Sequence, residues 1–381
     1  MKITKVRTFL VHPGQEKNWL FVKVETDEGI FGWGECYTQA DRDRAIEIYV
    51  QELSRYLIAR SPFNIKHFTF MAYHDFANKR GAMDLYCAIS GIEQALWDIV
   101  GKALNTPVYN LLGGACRDKI RVYANGWGGR TIEANAERAA RLVEQGFNAM
   151  KFDPFPGAWR THLSREDEAA AVECVRAVRD AVGPDVELLI EVHRRLAPMH
   201  AIRLARVLEE FNPFWYEEPV SARNVDALAE VRRAVNLPVV TGEEIYTKGE
   251  FREVFEKNAA DILNPDICNC GGILELKEIA AMAEPYFVTM APHNYNSTTV
   301  GLAATLQACA VMPNFLITEY FVNFTACGDE ISANPIEVKD GYVQLPTGAG
   351  LGLELDEAAL AQHPYRELPK RRLREFYEEG P

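Results

Sequence analysis

From Ile120 onward the chain repeats one unit: a short apolar run, then 10 to 18 residues of helical pattern, then another run. The runs are Ile120–Tyr123, Ala149–Phe152, Val186–Ile190, Phe214–Tyr216, Val239–Val240, Ile262–Leu263, Phe287–Met290 and Phe315–Ile317. Continuous apolar runs, rather than alternating ones, belong to parallel strands covered on both sides. Eight such runs separated by helices over about 200 residues constrain the fold to an α/β (β/α)8-type (TIM-like) barrel. Helix boundaries agree. Ser164 before Glu166, Asp167 and Glu168 is a start signal and Gly183-Pro184 a stop, and Gln145-Gly146 closes a helix begun near Thr131.

The first residues read differently. Lys2–Val11 and Trp19–Thr26 alternate, and Asp27-Glu28-Gly29 supplies a turn into Ile30–Trp33. Helical patterns follow at 41–57 and 82–104, ending at Leu112-Gly113-Gly114. Strands and then helices imply an N-terminal α+β capping domain over 1–115. The barrel is expected over 116–326, with a C-terminal segment, 327–381, returning to the capping domain.

In this barrel class, chemistry gathers where the strands end. The residues there are Asn125, Lys151 with Asp153, Glu191 with His193, Glu217, Glu243, Asp266, His293 and Glu319. From Glu191 onward they recur at intervals of 26, 26, 23, 27 and 26 residues. A lone carboxylate after a strand is commonly a helix cap or a solvated group. One ionisable group per βα unit, always at the same end, has no use in a barrel built for stability alone.

Glu191, Glu217 and Glu243 fall on three successive strands, so they can converge, and three adjacent carboxylates need a cation between them. Oxygen ligands select a hard divalent ion, Mg²⁺ first and Mn²⁺ as the alternative. Strand alternation turns Glu218 and Glu244 elsewhere, although a register shifted by one would exchange the roles. Asp266 and His293 lie on neighbouring strands, and a carboxylate beside an imidazole makes a general base. His193, two residues after Glu191, is a second acid/base on the opposite wall, or else a histidine satisfied by a backbone carbonyl.

The formal charge of −13 argues against nucleic acid or an anionic membrane as partner, and no apolar run reaches the roughly 20 residues of a membrane helix. Met1–Thr4 alternates as a strand does, so no secretory leader is expected. Eight cysteines without a CxxC pair suggest reduced thiols and a cytoplasmic protein.

Several segments are similar to the enolase superfamily, and specifically to its mandelate racemase subgroup. They are Phe31-Gly32-Trp33-Gly34-Glu35, Ile92-Glu93-Gln94-Ala95-Leu96-Trp97-Asp98, Trp215-Tyr216-Glu217-Glu218-Pro219, Thr241-Gly242-Glu243-Glu244, Pro265-Asp266 with Gly271-Gly272, and Ala291-Pro292-His293. The resemblance implies proton abstraction next to a carboxylate, with Mg²⁺ stabilising the resulting enediolate. It also implies a capping domain over the barrel mouth, with loops near 15–19, including Trp19, and near 36–39 setting substrate choice, and a homo-oligomer.

Mandelate racemase itself carries Lys-x-Lys on the second strand, where this chain has Lys151-Phe152-Asp153. Glu191-Val192-His193-Arg194-Arg195 instead resembles the acid-sugar dehydratases of the galactonate, gluconate and mannonate type. On that resemblance the chain is a lyase whose substrate is a small sugar acid, an aldonate, and whose product is a 2-keto-3-deoxy acid. His293, oriented by Asp266, is expected as the base and His193 as the acid on the leaving hydroxyl. Glu319 would have to be protonated to hydrogen-bond the substrate carboxylate. Lys151 would help to bind that carboxylate, Asp153 would hold Lys151 or a distal hydroxyl, and Asn125 and Trp127 would touch the sugar. The rival readings are a racemase, epimerase or cycloisomerase using the same enediolate, and a non-enzymatic sugar-acid binding protein.

Overall fold

The computed structural model describes residues 1–76, 83–155, 161, 163–370, 373 and 375–378. Three strands, β1 (Ile3–Val11), β2 (Trp19–Thr26) and β3 (Phe31–Cys36), form an antiparallel meander in the order β1-β2-β3. Gly29, at φ +79°, closes the turn between β2 and β3. The helix Met83–Ala103 lies across β3; Ala82, expected at its start, is outside the described residues.

Glycine makes that packing possible. A Cβ on Gly34 would stand 1.8 Å from the Gly91 carbonyl oxygen, and one on Gly32 would stand 2.1 Å from that of Ala95. With both faces covered, β2 loses the polar face that its alternation suggested, and Trp19, Leu20, Phe21 and Val22 are all wholly buried.

The second body is a closed parallel barrel. Its strands are β4 (Lys119–Asn125), β5 (Ala149–Phe152), β6 (Glu187–Glu191), β7 (Trp215–Glu217), β8 (Val239–Thr241), β9 (Ile262–Leu263), β10 (Thr289–Met290) and β11 (Thr318–Phe321). Each pairs in parallel with its successor from β4 to β10, and β11 pairs with β4. A parallel bridge from Met290 to Phe315 joins β10 to the segment before β11.

Eight side chains fill the floor, one from each strand unit: Tyr123, Ala149, Leu189, Trp215, Val240, Ile262, Ala291 and Ile317. Tyr123 meets Trp215 edge-on at 5.3 Å, which plugs the centre.

Among the described residues seven full-length helices alternate with these strands, and capping set their limits. The Ser164 and Thr131 side chains accept the Asp167 and Ala134 amides, and Gly183 ends the second helix at φ +78°. After β11 only a short 3-10 turn and the helix Thr325–Ile331 follow, so the eighth unit is abbreviated. The run expected at 287–290 begins later, because Phe287 sits at φ +57° in a turn with its side chain almost fully exposed.

The chain after 331 adds β12 (Val338–Lys339) and β13 (Tyr342–Gln344), the latter antiparallel to the start of β4. It then touches the N-terminal body through Leu351 N to Asp98 (2.8 Å), Arg7 to Glu357 (2.7 Å) and His12 N to the His363 carbonyl (3.0 Å).

The two bodies meet through buried polar contacts. Glu35 of β3 accepts the amides of Ser297 and Gly301, each at 2.8 Å, and Glu93 accepts those of Ile273 (2.8 Å) and Leu274 (3.0 Å) at the start of a barrel helix. Tyr37 N donates to the Cys268 carbonyl at 3.0 Å, bringing the chain after β3 over the strand ends. No described helix is long and apolar enough to cross a membrane.

Candidate active site

Two residues beyond each floor side chain, alternation turns the backbone inward again, and the site is built there. From Tyr123, Ala149, Leu189, Trp215, Ala291 and Ile317 the step of two reaches Asn125, Lys151, Glu191, Glu217, His293 and Glu319. From Ile262 it reaches Asn264, and Asp266 lies two further. At β8 the rule breaks. The step from Val240 lands on Gly242, whose φ of +148° resets the alternation, and Glu243 faces the cavity in its place.

Glu191, Glu217 and Glu243 thereby offer ligand oxygens that all lie within 4.8 Å of one another. Glu217 Oε2 is buried with no hydrogen-bond donor among the described residues, and Glu191 Oε2 is buried without a hydrogen bond, the Lys151 ammonium standing 3.4 Å from it. Burial and the adjoining Glu191 push the Glu217 carboxyl well above the usual range. Buried, converging carboxylate oxygens without hydrogen bonds are the donor set a hard divalent cation takes, so the residues present fit such an ion. Glu218 turns away, its Oε1 accepting from Thr241 Oγ1 (2.6 Å) and the Gly242 amide (3.0 Å).

Lys151 stands among the carboxylates. Its Nζ is 2.8 Å from Glu217, 3.0 Å from Glu319 and 3.4 Å from Glu191. Burial would lower its pKa, but Glu217 and Glu319 outweigh that and hold it well above the ordinary lysine value. Lys151 is thus an ammonium facing the cavity, and it does not bond Asp153 as the sequence had suggested.

Glu319 lies within β11, not after it. It accepts Asn125 Nδ2 at 2.8 Å and the Asn294 amide at 2.9 Å. Burial raises this carboxyl, yet Lys151 and His293 prevail and hold it below its usual value. The surroundings therefore favour the ionised form over the protonated one expected from the sequence.

Two imidazoles face each other across this floor, each tied at Nδ1 to an aspartate. His293 Nδ1 lies 2.7 Å from Asp266 Oδ2, and His193 Nδ1 lies 2.7 Å from Asp153 Oδ2. Asp266 is fixed in turn by the Cys268 amide (2.7 Å) and by Asn296 Nδ2 (2.9 Å to each oxygen). Asp153 is held by the Arg195 guanidinium and the Phe155 amide (2.9 Å). So Asp153 partners His193 and not Lys151, and the alternative of a backbone carbonyl for the His193 ring gives way to a carboxylate.

Both histidines are raised. Burial opposes protonation of His293, but Glu319, Glu243 and Asp266 push it to about 9. Burial also opposes that of His193, where Glu191 and Asp153 prevail.

A cavity of about 490 Å³ opens over these groups, lined also by Tyr37, Gln39, Arg194, Tyr295 and Phe321. Arg194 binds Glu243 and holds that carboxyl below its usual range, against the opposing effect of burial. Two expected contacts fall elsewhere. Trp19 is wholly buried against Phe21 and Phe324 (ring centroids 6.0 and 5.5 Å apart), because β2 is covered on both faces. Trp127 stands one layer behind the wall, 5.3 Å from the Phe152 ring, which lines the cavity in its place.

Sequence reasoning missed Tyr37, Gln39, Asn264, Asn294, Asn296 and Arg194 as parts of the site. Tyr37 and Gln39 lay within a loop already suspected, and Asn264 carries a signal, being one strand step beyond the floor residue Ile262. It donates to Glu217 Oε1 at 2.7 Å.

The whole chain has known relatives. Residues 5–113 match the mandelate racemase / muconate lactonizing enzyme N-terminal domain, and residues 134–359 match the enolase C-terminal domain-like family. A D-galactonate dehydratase of Variovorax paradoxus is 37% identical, covering 97% of this chain and 96% of its own. One of Ralstonia pickettii is also 37% identical, over 95% and 94%. A crystal structure of a mandelate racemase/muconate lactonizing enzyme from a Sulfitobacter species superposes with a TM-score of 0.90 at 36% identity, covering 96% of each chain.

Proposed function

The chain belongs to the mandelate racemase/muconate lactonizing enzyme family of the enolase superfamily, and from that premise we propose how its site works as a sugar acid dehydratase. The substrate is an aldonate, D-galactonate being the first to test given the relatives' activity. The reaction removes the proton next to the carboxylate and the hydroxyl one carbon further on, giving a 2-keto-3-deoxy acid.

Glu191, Glu217 and Glu243 would hold Mg²⁺, with Mn²⁺ as a substitute. Mg²⁺ would supply the charge against which negative charge developing on the substrate carboxylate is stabilised. Lys151, an ammonium on the cavity floor, binds a carboxylate oxygen. Glu319 lies 3.0 Å from Lys151, and the approach of an anionic carboxylate raises its pKa, so that it takes up a proton and donates to the substrate.

His293 takes the α-proton on Nε2, since Asp266 engages Nδ1. Glu243 helps to raise His293, and would do so less while it held a divalent cation, so that the base would lie nearer to neutral pH. The bond from C3 to its hydroxyl then breaks, and His193 gives its proton so that the hydroxyl leaves as water. The enol rearranges to the 2-keto acid.

One observation supports this most: two aspartate-anchored imidazoles face one cavity above a buried carboxylate cluster. The same observation favours one rival, a two-base racemase or epimerase, in which His193 returns the proton to the other face. Incubation with Mg²⁺ and a panel of aldonic and aldaric acids, read as 2-keto acid formed, separates them. Dehydration of an aldonate is expected. Solvent deuterium at the α-carbon without a 2-keto product would install the rival, and failure of every sugar acid would defeat both. His293→Asn is expected to abolish α-deuteration. The eight free thiols support a cytoplasmic location, which with a homo-oligomeric state completes the proposal.

A further inference from the structure

Asp153 lies two residues after Lys151, just past the end of the second barrel strand, and nothing in the reaction as derived above requires a carboxylate there. We infer that Asp153, braced by Arg195, is a positioning residue for His193: it fixes the ring so that Nε2 faces the substrate, and it serves only the elimination half of the reaction. The inference rests on the reading of the protein as a sugar acid dehydratase.

The geometry is specific. A carboxylate can only accept, so the 2.7 Å contact between Asp153 Oδ2 and His193 Nδ1 places a hydrogen on Nδ1. Nε2 is then the nitrogen turned to the cavity that His193 lines. Neither partner is free to drift. Asp153 Oδ1 accepts the Phe155 amide at 2.9 Å, and Oδ2 also takes the Arg195 guanidinium. Arg195 is anchored on its own loop, where Nε donates to the Val192 carbonyl at 3.0 Å.

The backbone of that loop is unusual. His193 and Arg194 both sit in the left-handed region, at φ +53° and +54°, which non-glycine residues adopt only when their surroundings compel it. Those surroundings are present. His193 N donates to Glu191 Oε1 (2.7 Å), Arg194 N to the Glu218 carbonyl, and Leu196 N to the Pro219 carbonyl (3.3 Å). On the other side Thr161 N donates to the Arg195 carbonyl (2.7 Å) and Ala197 N to that of Thr161 (2.8 Å). The loop is sewn to its neighbours on both flanks, but the His193 side chain is still 46% exposed. Among the described residues, the Asp153 contact is the one that fixes how the ring is turned.

Three rates and one spectrum test this. The variants are Asp153→Ala, which removes the acceptor, and Asp153→Asn, which keeps one. The rates are dehydration of the aldonate, α-deuteration in D₂O, and loss of fluoride from the 3-deoxy-3-fluoro analogue, whose leaving group departs without a proton. Asp153→Ala should lower dehydration kcat roughly 100-fold, the lower end of what a positioned acid contributes, and leave KM, deuteration and fluoride loss within about threefold. Asp153→Asn should recover about tenfold of the lost rate, since its amide oxygen still accepts the ring N–H.

Parallel loss of all three activities would mean a merely structural residue and overturn the inference, as would an undiminished dehydration rate. The spectrum is a ring-nitrogen NMR correlation of the Mg²⁺-loaded protein, with the His193 signals assigned by their absence in His193→Asn. Nδ1 should carry a proton in the wild type and lose it in neutral His193 of Asp153→Ala. An unprotonated wild-type Nδ1 would overturn the inference. A protonated Nδ1 in a protein that dehydrates no sugar acid would uphold the positioning of the ring and overturn the dehydratase reading.

Discussion

Replacing Lys151 with methionine keeps the length of the side chain and removes one buried charge. In the structure that charge lies 2.8 Å from Glu217, 3.0 Å from Glu319 and 3.4 Å from Glu191, all of them buried. Stripping one partner from a buried ion pair costs about 3–5 kcal/mol when the remaining charge stays uncompensated. Here it need not stay charged, because Glu319, which Lys151 holds below its usual value against the effect of burial, can take up a proton instead. Holding a glutamate protonated at pH 7, against an unfolded-state pKa near 4.3, costs about 1.36 kcal/mol per unit, or about 3.7 kcal/mol. That protonation cost limits the damage, and it depends on pH.

In the variant the folded-state pKa of that carboxyl lies above its unfolded value, so the folded protein binds the extra proton. Stability is then fully present below the unfolded pKa and is lost as pH rises through the folded one. Between pH 7 and pH 5 the deficit relative to wild type should shrink by about 2.7 kcal/mol, to about 1 kcal/mol. Urea denaturation of both proteins in EDTA, at half-unit steps from pH 5 to pH 7, measures it. A deficit that stays constant with pH, or that is already under about 1 kcal/mol at pH 7, would refute the reasoning. Lys151 would then not be the charge that balances these carboxylates.

Glu217→Gln should weaken Mg²⁺ binding at least roughly 10-fold in isothermal titration calorimetry, since it removes a charged ligand oxygen from the buried cluster; unchanged affinity would move the cation elsewhere. Glu35 and Glu93, which join the two bodies, are both raised to about 7 by burial. Each therefore favours folding below the unfolded carboxylate range and withdraws that contribution as pH rises toward 7. Glu35→Gln should flatten the stability profile between pH 5 and pH 7 by up to about 1.4 kcal/mol per unit, and an unaltered slope in urea denaturation would contradict the assignment. Gly34→Ala should cost at least about 3 kcal/mol in the same assay, because its Cβ would stand 1.8 Å from the Gly91 carbonyl oxygen, which backbone cannot yield without parting β3 from its helix; a loss under about 1 kcal/mol would show the packing to be softer than drawn.

The barrel was legible because parallel strands write their burial as short apolar runs, and because one period of about 26 residues repeated. The positions of charge at the strand ends were legible for the same reason, down to Asp266 two residues beyond Asn264. The facing direction of Glu243 was legible only through its spacing. Alternation from Val240 alone selects position 244, and nothing local announces that Gly242 at φ +148° shifts the register.

Trp19 illustrates the opposite limit. A tryptophan beside a loop reads as a sugar contact until β3 and its helix are known to cover the sheet, a tertiary fact carried by glycines some 15 and 70 residues away. The Asp153–His193 pair was missed for a related reason. Its members lie 40 residues apart, just past the ends of neighbouring strands, and the left-handed turn at His193 that brings the ring back over β5 leaves no mark in composition or period.

The charge of the site argues for its cation and for its acid together. Glu191, Glu217, Glu243, Glu319, Asp153 and Asp266 set against Lys151, Arg194 and Arg195 leave a formal −3 when every carboxyl is ionised, His293 is neutral as a base must be, and His193 has yet to take up its proton. A substrate carboxylate entering such a site would meet repulsion that the whole protein, at −13, only worsens. A divalent ion on the carboxylates would bring the balance to −1, and a proton on His193, the proposed acid, would bring it to zero. Neither change alone removes the repulsion. Substrate affinity should therefore depend on Mg²⁺ and on the protonation of His193 together, and an aldonate that bound as tightly in EDTA as in Mg²⁺ would show that charge balance does not admit the substrate.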